Sequence, residues 1–488
     1  MSNQTNWTLL IQILYMLIVV LVCIRIIIDT SNISKSLAYL LLTVFVPVLG
    51  MVFYFSFGIN YRKRKMYNKK LKIDMHLRRA YFEKLRLLRE RLATTDNVAL
   101  LQNKELIQLL SNKRVGSEPI LPNYKVELLV NGEAFFPKLK EELLKARHHI
   151  HIEFYIFEDD TVGNEIKEIL IQKAYSGVEV RFIYDDFGSM SIRHSFVDDM
   201  IVHGVQAFPF KKIKLVSLAN RLNYRNHRKI VVIDGEVSFV GGINISDKYS
   251  NDFAHRLYWR DTHLMVKGYS AQGLQRVFLS DWNFCSREDI SITKEYFPEI
   301  EFRSESYKFL QIVSSGPDSD LPNILYSILQ AINLAQNEIL ITTPYYIPDI
   351  SLQEMLKIAA LSGLDVKLLV PYKGDSKLVD LASRSFYSEL LRAGVRVFQY
   401  KKGFIHAKTF VTDRKLASVG TANLDSRSFD LNFEVAALIY DQEIAEQLAV
   451  QFYLDLKESE ELLLSDWEKR SGWTRFSESL IRLISPFM

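Results

Sequence analysis

Two nine-residue stretches carry the same reactive side chains. Residues 226–234 read NHRKIVVID and residues 405–413 read IHAKTFVTD. In each, a lysine stands two residues after a histidine and an aspartate five further on: His227, Lys229 and Asp234, then His406, Lys408 and Asp413. Each continues to a glycine seven residues past the aspartate, Gly241 or Gly420, and to an asparagine three further, Asn244 or Asn423. A histidine can act as nucleophile or as proton carrier. A lysine can stabilise negative charge as it develops. One copy of this spacing is a weak signal. Two copies matched at five positions are a strong one, because together they give a single site two histidines and two cations.

The flanking residues say what must hold these groups. Apolar runs at 230–233 and 237–240 flank Asp234-Gly235, a two-residue hairpin signal. Asp413-Arg414 takes that turn in the second copy. Strand side chains alternate between faces, which predicts His227 and Lys229 on one face, and His406 and Lys408 likewise. The duplication extends well beyond the motifs. HHIHIEFYIFEDD (148–160) matches NEILITTPYYIPD (337–349), and AYSGVEVRFIYDD (174–186) matches ALSGLDVKLLVPY (360–372). HGVQAFPFKK (203–212) likewise matches AGVRVFQYKK (393–402). Strand-like runs at 150–156, 178–184 and 205–210 alternate with helical spacing at 164–175 and 195–203, which predicts an α/β architecture. The halves are expected to be joined by the charged, turn-prone stretch 286–304.

At 488 residues the chain is long enough for two or three domains. It is 48% hydrophobic and 24% charged with a net charge of +4, so overall charge selects no partner. Cys23 and Cys285 are too few and too far apart for a disulfide framework and fit a reducing compartment. No HExxH, CxxC or P-loop pattern occurs, which argues against a zinc enzyme or an ATPase of that kind. The N-terminus is strongly apolar. Residues 7–24 and 37–58 contain no charge, and each run is near the ~20 residues that cross a bilayer as a helix. The basic run YRKRKMYNKKLK (61–72) follows. Basic residues stay on the cytoplasmic side, so the expectation is a two-span hairpin with both the N-terminus and everything after residue 60 in the cytoplasm. The basic helical stretch 73–93 is expected to lie against anionic lipid.

HRKIVVIDGEVSFVGGIN and HAKTFVTDRKLASVGTAN resemble the paired motifs of the phospholipase D superfamily, over roughly residues 120–450. The two apolar runs, the segment PVLGMVFYFSFG, YWRDTHLMVKG (258–268) and the closing LISPFM resemble bacterial cardiolipin synthases within it. The resemblance implies two homologous α/β domains packed with pseudo-twofold symmetry behind a transmembrane helical hairpin. The expected division is two membrane helices in 1–60, a basic juxtamembrane segment in 61–119, repeats in 120–290 and 305–460, and an amphipathic tail in 461–488. The family's activity would be transfer of a phosphatidyl group between two phosphatidylglycerol molecules, giving cardiolipin and glycerol. The alternative is a membrane phospholipase D with water as acceptor.

In that chemistry one histidine attacks phosphorus to form a phosphohistidine while the other protonates the departing oxygen. Lys229, Lys408, Asn244 and Asn423 would hold the phosphate oxygens. The resemblance implies that the attacking ring is His227, and that Asp261 and Glu434 are acids bonded to histidine ring nitrogens. Asp234 and Asp413 belong to the motifs, either capping backbone amides at the turns or taking part in proton chemistry. Gly242 stands where the second copy has Thr421, so a hydroxyl contact to phosphate would come from one half only. No metal or cofactor and no nucleic acid is expected. The partners would be phosphatidylglycerol and anionic lipids, at the inner (cytoplasmic) membrane of a bacterium. The first half also carries about eleven extra residues, 213–223 (IKLVSLANRLN), with Leu215, Leu218 and Leu222 on one helical face. They could form a lipid-contacting segment beside His227.

Overall fold

The computed structural model describes residues 2–30, 33–57, 60–86, 98–112, 114–210, 224–252, 257–301 and 307–485. The insertion 213–223 and the basic residues 87–93 lie outside the described residues. The described residues separate into two compact units, one of those up to 69 with Tyr224, the other essentially 70–210 with 225–485.

In the smaller unit, α1 (Ser2–Asp29) is long and apolar enough to cross a membrane. The second apolar run departs from the expected straight span. It forms α2 (Ile33–Phe45) and α3 (Pro47–Phe57), about 20 and 16 Å long at 1.5 Å per residue, each short of a ~30 Å hydrocarbon core. The two fold back on each other. Tyr39 and Tyr54 would be far apart on a continuous helix, yet their ring centroids are 5.6 Å apart. The reversal has a local cause. Pro47 cannot donate to the preceding turn and starts α3 at the position where a helix tolerates it best. Gly50 then faces α2 so closely that a Cβ there would lie 2.4 Å from the Thr43 Cα. Tyr54 donates its hydroxyl to Asp29 at the end of α1 (3.1 Å), which brings the close of α3 back to the close of α1.

The basic helix α4 (Asn60–Lys84) leads into the larger unit. Part of its charge is used inside the larger unit, while Arg79, Lys84 and Arg86 are exposed. Lys70 is buried and pairs with Asp281 (2.9 Å) and Asp318 (2.7 Å), and Asp74 pairs with Arg276 (2.5 Å).

Within the larger unit, fifteen strands among the described residues form one sheet. The first half gives β1 (Ile120–Val130), β2 (His149–Phe154), β3 (Glu179–Tyr184), β4 (Gln206–Pro209), β5 (Ile230–Ile233), β6 (Val237–Gly241) and β7 (Thr262–Gly268). The second gives β8 (Lys308–Ser315), β9 (Glu338–Thr342), β10 (Asp365–Pro371), β11 (Arg396–Tyr400), β12 (Thr409–Thr412), β13 (Leu416–Gly420), β14 (Glu434–Tyr440) and the edge strand β15 (Ser459–Glu461). The order is β15-β11-β10-β9-β12-β13-β14-β8-β1-β7-β6-β5-β2-β3-β4. Leaving aside β15, it reads as the same seven strands run in opposite senses from a central antiparallel pair, β1 with β8. That is the pseudo-twofold axis. Apolar side chains of each half's helices pack on its own sheet, and a third cluster, including Ile230, Val240, Val411 and Val419, fills the space where the halves meet.

Candidate active site

His227 and Lys229 lie in the extended segment just ahead of β5, and His406 and Lys408 just ahead of β12, rather than in the strands themselves. Each segment is fixed by backbone bonds to the other half. The His227 N–H donates to the Phe433 carbonyl (2.9 Å) and the Phe433 N–H to that of Arg225 (2.8 Å). In the second half the His406 N–H donates to the Arg260 carbonyl (2.7 Å) and the Phe404 N–H to that of Tyr258 (2.8 Å). These crossed links put each histidine against the acid of the opposite repeat. His227 Nδ1 is 3.0 Å from the Glu434 carboxylate, and His406 Nδ1 is 2.6 Å from Asp261 Oδ2. A carboxylate on Nδ1 selects the tautomer with its proton there and leaves the Nε2 lone pair for chemistry.

The two acids occupy equivalent places. Asp261 lies two residues before His263, the partner of Gly241, and Glu434 two before Ala436, the partner of Gly420. Their lengths are matched by the residue beside them. A Cβ at Gly242 would sit 2.1 Å from Asp261 Oδ1, so only glycine leaves room for the shorter acid. Thr421 stands at the corresponding position and donates its hydroxyl to Glu434. Thr421 therefore steadies the acid, and its hydroxyl is spent there instead of being offered to a ligand.

Burial dominates the electrostatics. It lowers the His227 pKa from 6.5 against the pull of Glu434, and lowers that of His406 much further, with Lys408 and Lys229 adding to the effect. Burial brings Lys229 down to about 7 and Lys408 down to about 8, in each case against the pull of the two carboxylates. Burial also raises Asp261, while His227, Lys229 and Thr421 outweigh it at Glu434 and hold that acid low. Two buried lysines beside two buried imidazoles, each imidazole with a carboxylate on its Nδ1, form a site suited to an anionic ligand.

The asparagines are buried beside this centre. Asn244 Nδ2 donates to the Tyr249 hydroxyl (2.7 Å) and Asn423 Nδ2 to Asp425 (3.2 Å), so each uses one of two N–H donors within the protein. Aromatic rings wall the histidines, and reading the sequence did not find them. Tyr155 packs edge-on to His227 with centroids 4.9 Å apart, and Trp259 lies 5.3 Å from His406. Trp259 could have been noticed as the residue two before Asp261. Tyr155 carries no comparable mark.

Asp234 and Asp413 are away from this chemistry. Each sits at the hairpin turn, five residues and so roughly 16 Å along the extended chain from its lysine, across a four-residue strand. The Asp234 carboxylate accepts three backbone N–H bonds, from Arg147 (2.9 Å), His148 (2.8 Å) and His149 (2.9 Å). Asp413 does the same for Gln336 (2.9 Å), Asn337 (2.8 Å) and Glu338 (2.9 Å). Direct proton chemistry is thus corrected to a bracing role, tying the motif hairpin to the start of the neighbouring strand. Asp234→Ala is expected to cost about 1–3 kcal/mol of stability by stranding those donors. Turnover per folded molecule should stay near that of the parent, as denaturant melts alongside assays would show. Among the described residues no group of three or more His, Cys, Asp or Glu could hold a metal ion.

Comparison with known proteins places this geometry. A family model described as "Cardiolipin synthase, PLD-like domain" matches residues 139–282 and 328–456, one match per repeat. A second, "Phospholipase_D-nuclease N-terminal", matches residues 16–58. The chain is 40% identical over 460 residues to "Cardiolipin synthase 2" of Bacillus anthracis, covering 93% of this chain and 87% of that one. It is 38% identical over 484 residues to "Major cardiolipin synthase ClsA" of Bacillus subtilis (strain 168), covering 99% of both. Among solved structures it resembles a phosphatidylserine synthase from Haemophilus influenzae, with a TM-score of 0.59 at 16% identity over 79% of this chain and 98% of that one, a likeness of fold.

Proposed function

The chain belongs to the cardiolipin synthase family of phospholipase D-like proteins, and from that premise we propose how its paired site works. The enzyme is a phosphatidyltransferase that makes cardiolipin. The donor is phosphatidylglycerol. His227 Nε2 attacks phosphorus, the bond to the head-group glycerol oxygen breaks, and His406, which enters this step as the imidazolium with Asp261 on its Nδ1–H, gives its Nε2 proton to that oxygen so that glycerol leaves. A hydroxyl of a second phosphatidylglycerol then attacks the phosphohistidine. Its proton passes to His406, the N–P bond breaks, and cardiolipin is released. Lys229, Lys408 and the remaining N–H groups of Asn244 and Asn423 hold the phosphate oxygens. Asp261 and Glu434 orient the rings. The repeats are taken as 120–290 and 305–460, each supplying one histidine and the acid for the other.

The observation that carries this reading is the crossed pairing of His227 with Glu434 and His406 with Asp261. Neither half alone holds an oriented histidine. The test is to give purified protein labelled phosphatidylglycerol and identify the products. Cardiolipin with an equal amount of glycerol is expected, whereas phosphatidic acid as the main product would mean that water is the acceptor.

The chain is membrane-associated through α1. We place the catalytic unit on the cytoplasmic side and the start of α1 on the opposite side, with one crossing. The reversal between α2 and α3 supports this. So does charge, because no Lys or Arg precedes α1's apolar run while Arg25, Lys35 and the 62–72 cluster all follow it. In a background with Cys23 and Cys285 replaced by alanine, Gln4→Cys should be labelled from outside intact cells. Asn32→Cys and Met66→Cys should be protected. Labelling at position 32 with protection at position 4 would instead mean two crossings.

A further inference from the structure

The C-terminal helix is mounted in the sense opposite to that of a water-soluble surface helix. Taking α5 as Lys377–Arg392 and α6 as Gly472–Arg482, α6 packs on α5 through its polar side. Glu478, only 3% exposed, receives Arg384 (3.0 Å) and Arg470 (2.6 Å), and Arg482 reaches Glu389 on α5 (2.7 Å). Arg470 is itself clamped, with its guanidinium 3.6 Å from the centre of the Trp467 ring and its Nε donating to the Trp467 carbonyl (2.7 Å). Its apolar side points away from the protein. Trp473 is 77% exposed, Phe476 56% and Leu480 52%, and Leu483 and Ile484 in the turn that follows are exposed as well. At 100° per residue these five side chains fall within one stripe about 100° wide, which is the width of a buried helix face. An amphipathic helix on a protein in water turns that stripe inward. Here two arginines and a buried glutamate hold it outward.

We propose that α6 is a bilayer-docking surface, lying in the interface of an anionic membrane with Trp473, Phe476 and Leu480 among the acyl chains. Charge complementarity favours a lipid surface over a second protein. From residue 469 onward the chain has four basic residues against Glu478 alone; Arg470 and Arg482 are paired with Glu478 and Glu389, and Lys469 with Asp466, so the charge the helix adds beyond these pairs is the positive one of exposed Arg475. Arg475 is exposed on the polar side of the helix, about 80° round from the nearer edge of the stripe at 100° per residue, from where its long side chain can extend to lipid phosphates. An exposed apolar stripe that begins on an aromatic residue, with basic residues on the opposite side of the helix, is the pattern of helices that lie in the membrane plane. This contact is separate from the phosphatidyl-transfer chemistry and from α1. It gives the catalytic unit its own hold on the surface that contains its substrate.

The experiment uses the full chain in nanodiscs of phosphatidylcholine and phosphatidylglycerol, with Cys23 and Cys285 replaced by alanine. Spin labels are placed at Leu480→Cys, on the stripe, and at Lys377→Cys, at the exposed start of α5, as an internal reference. The label at 480 should be accessible to oxygen and shielded from a water-soluble nickel relaxant, and it should become shallower when phosphatidylglycerol is omitted. A label at 480 exposed to nickel in anionic nanodiscs would overturn the proposal. So would a label shielded equally in detergent while the protein runs at twice its mass, because the stripe would then be a contact between copies. The companion variant is Trp473→Ser/Phe476→Ser/Leu480→Ser. It should lose about tenfold or more in activity on bilayers while keeping its melting temperature and its activity on a short-chain soluble analogue. Equal activity of variant and parent on bilayers would also overturn it.

Discussion

Alanine at His227 or at His406 lowers cardiolipin formation by at least ~10²–10⁴, the range for loss of a positioned acid–base group. Neither ring can replace the other. Each is tied by its backbone and its Nδ1 to the opposite half, His227 through Phe433 and Glu434 and His406 through Arg260 and Asp261. A ring fixed in this way serves one side of phosphorus. Both steps pass through both rings, so the double variant should be little worse than the worse single one, as for residues that act as a unit. The single variants also differ in kind. His406→Ala retains the attacking nitrogen and lacks the proton for the leaving oxygen, whereas His227→Ala lacks the nucleophile. A double variant whose loss equals the product of the single losses would mean that the two rings act independently.

Lys229→Met or Lys408→Met should lower turnover by about 10²–10³, comparable to deleting one donor from an oxyanion site. The pH dependence follows from the same lysines. Burial lowers Lys229 to about 7 and Lys408 to about 8, so each is a cation below those values and loses its charge as pH rises through them. A phosphodiester needs the cations, so kcat/KM, which reports the free enzyme, should fall on the alkaline side between about pH 7 and 8. Arginine stays charged across this range. Lys229→Arg should therefore move the alkaline fall to higher pH even if its different shape lowers the maximum. An unchanged alkaline limb in Lys229→Arg and in Lys408→Arg would show that some other group sets it.

What the sequence disclosed is what local chemistry writes into it. The motif spacing, the hairpin turns and the duplication were readable because strands and turns impose short-range patterns. The stretch expected as strand at 178–184 is Glu179–Tyr184, and the helix expected at 164–175 is Thr161–Tyr175. Asp234 and Asp413 both adopt the positive φ that the turn demands, 53° and 49°. Asp261 and Glu434 were found through resemblance, but which histidine each one holds depends on pairing across the pseudo-twofold axis, and no spacing along the chain encodes that. The complement of Gly242 to the shorter acid and Thr421 to the longer one was visible only as a mismatch between copies. The break within the run 37–58 was not legible because hydropathy reports composition and not path. Pro47 and Gly50 are the residues that turn it back. Charge alone likewise does not tell which ionic residues beside a membrane segment are used internally: Lys70 and Asp74 are committed to ion pairs within the protein.

The division of labour between the histidines is tested most directly by trapping the intermediate. His406→Ala protein is mixed with phosphatidylglycerol labelled in its phosphate, quenched at high pH where phosphohistidine survives, digested and mapped by mass spectrometry. The account predicts a phosphatidyl adduct on His227, accumulating in His406→Ala and absent from His227→Ala. An adduct on His406 in otherwise intact enzyme, with His227 unmodified, would contradict it.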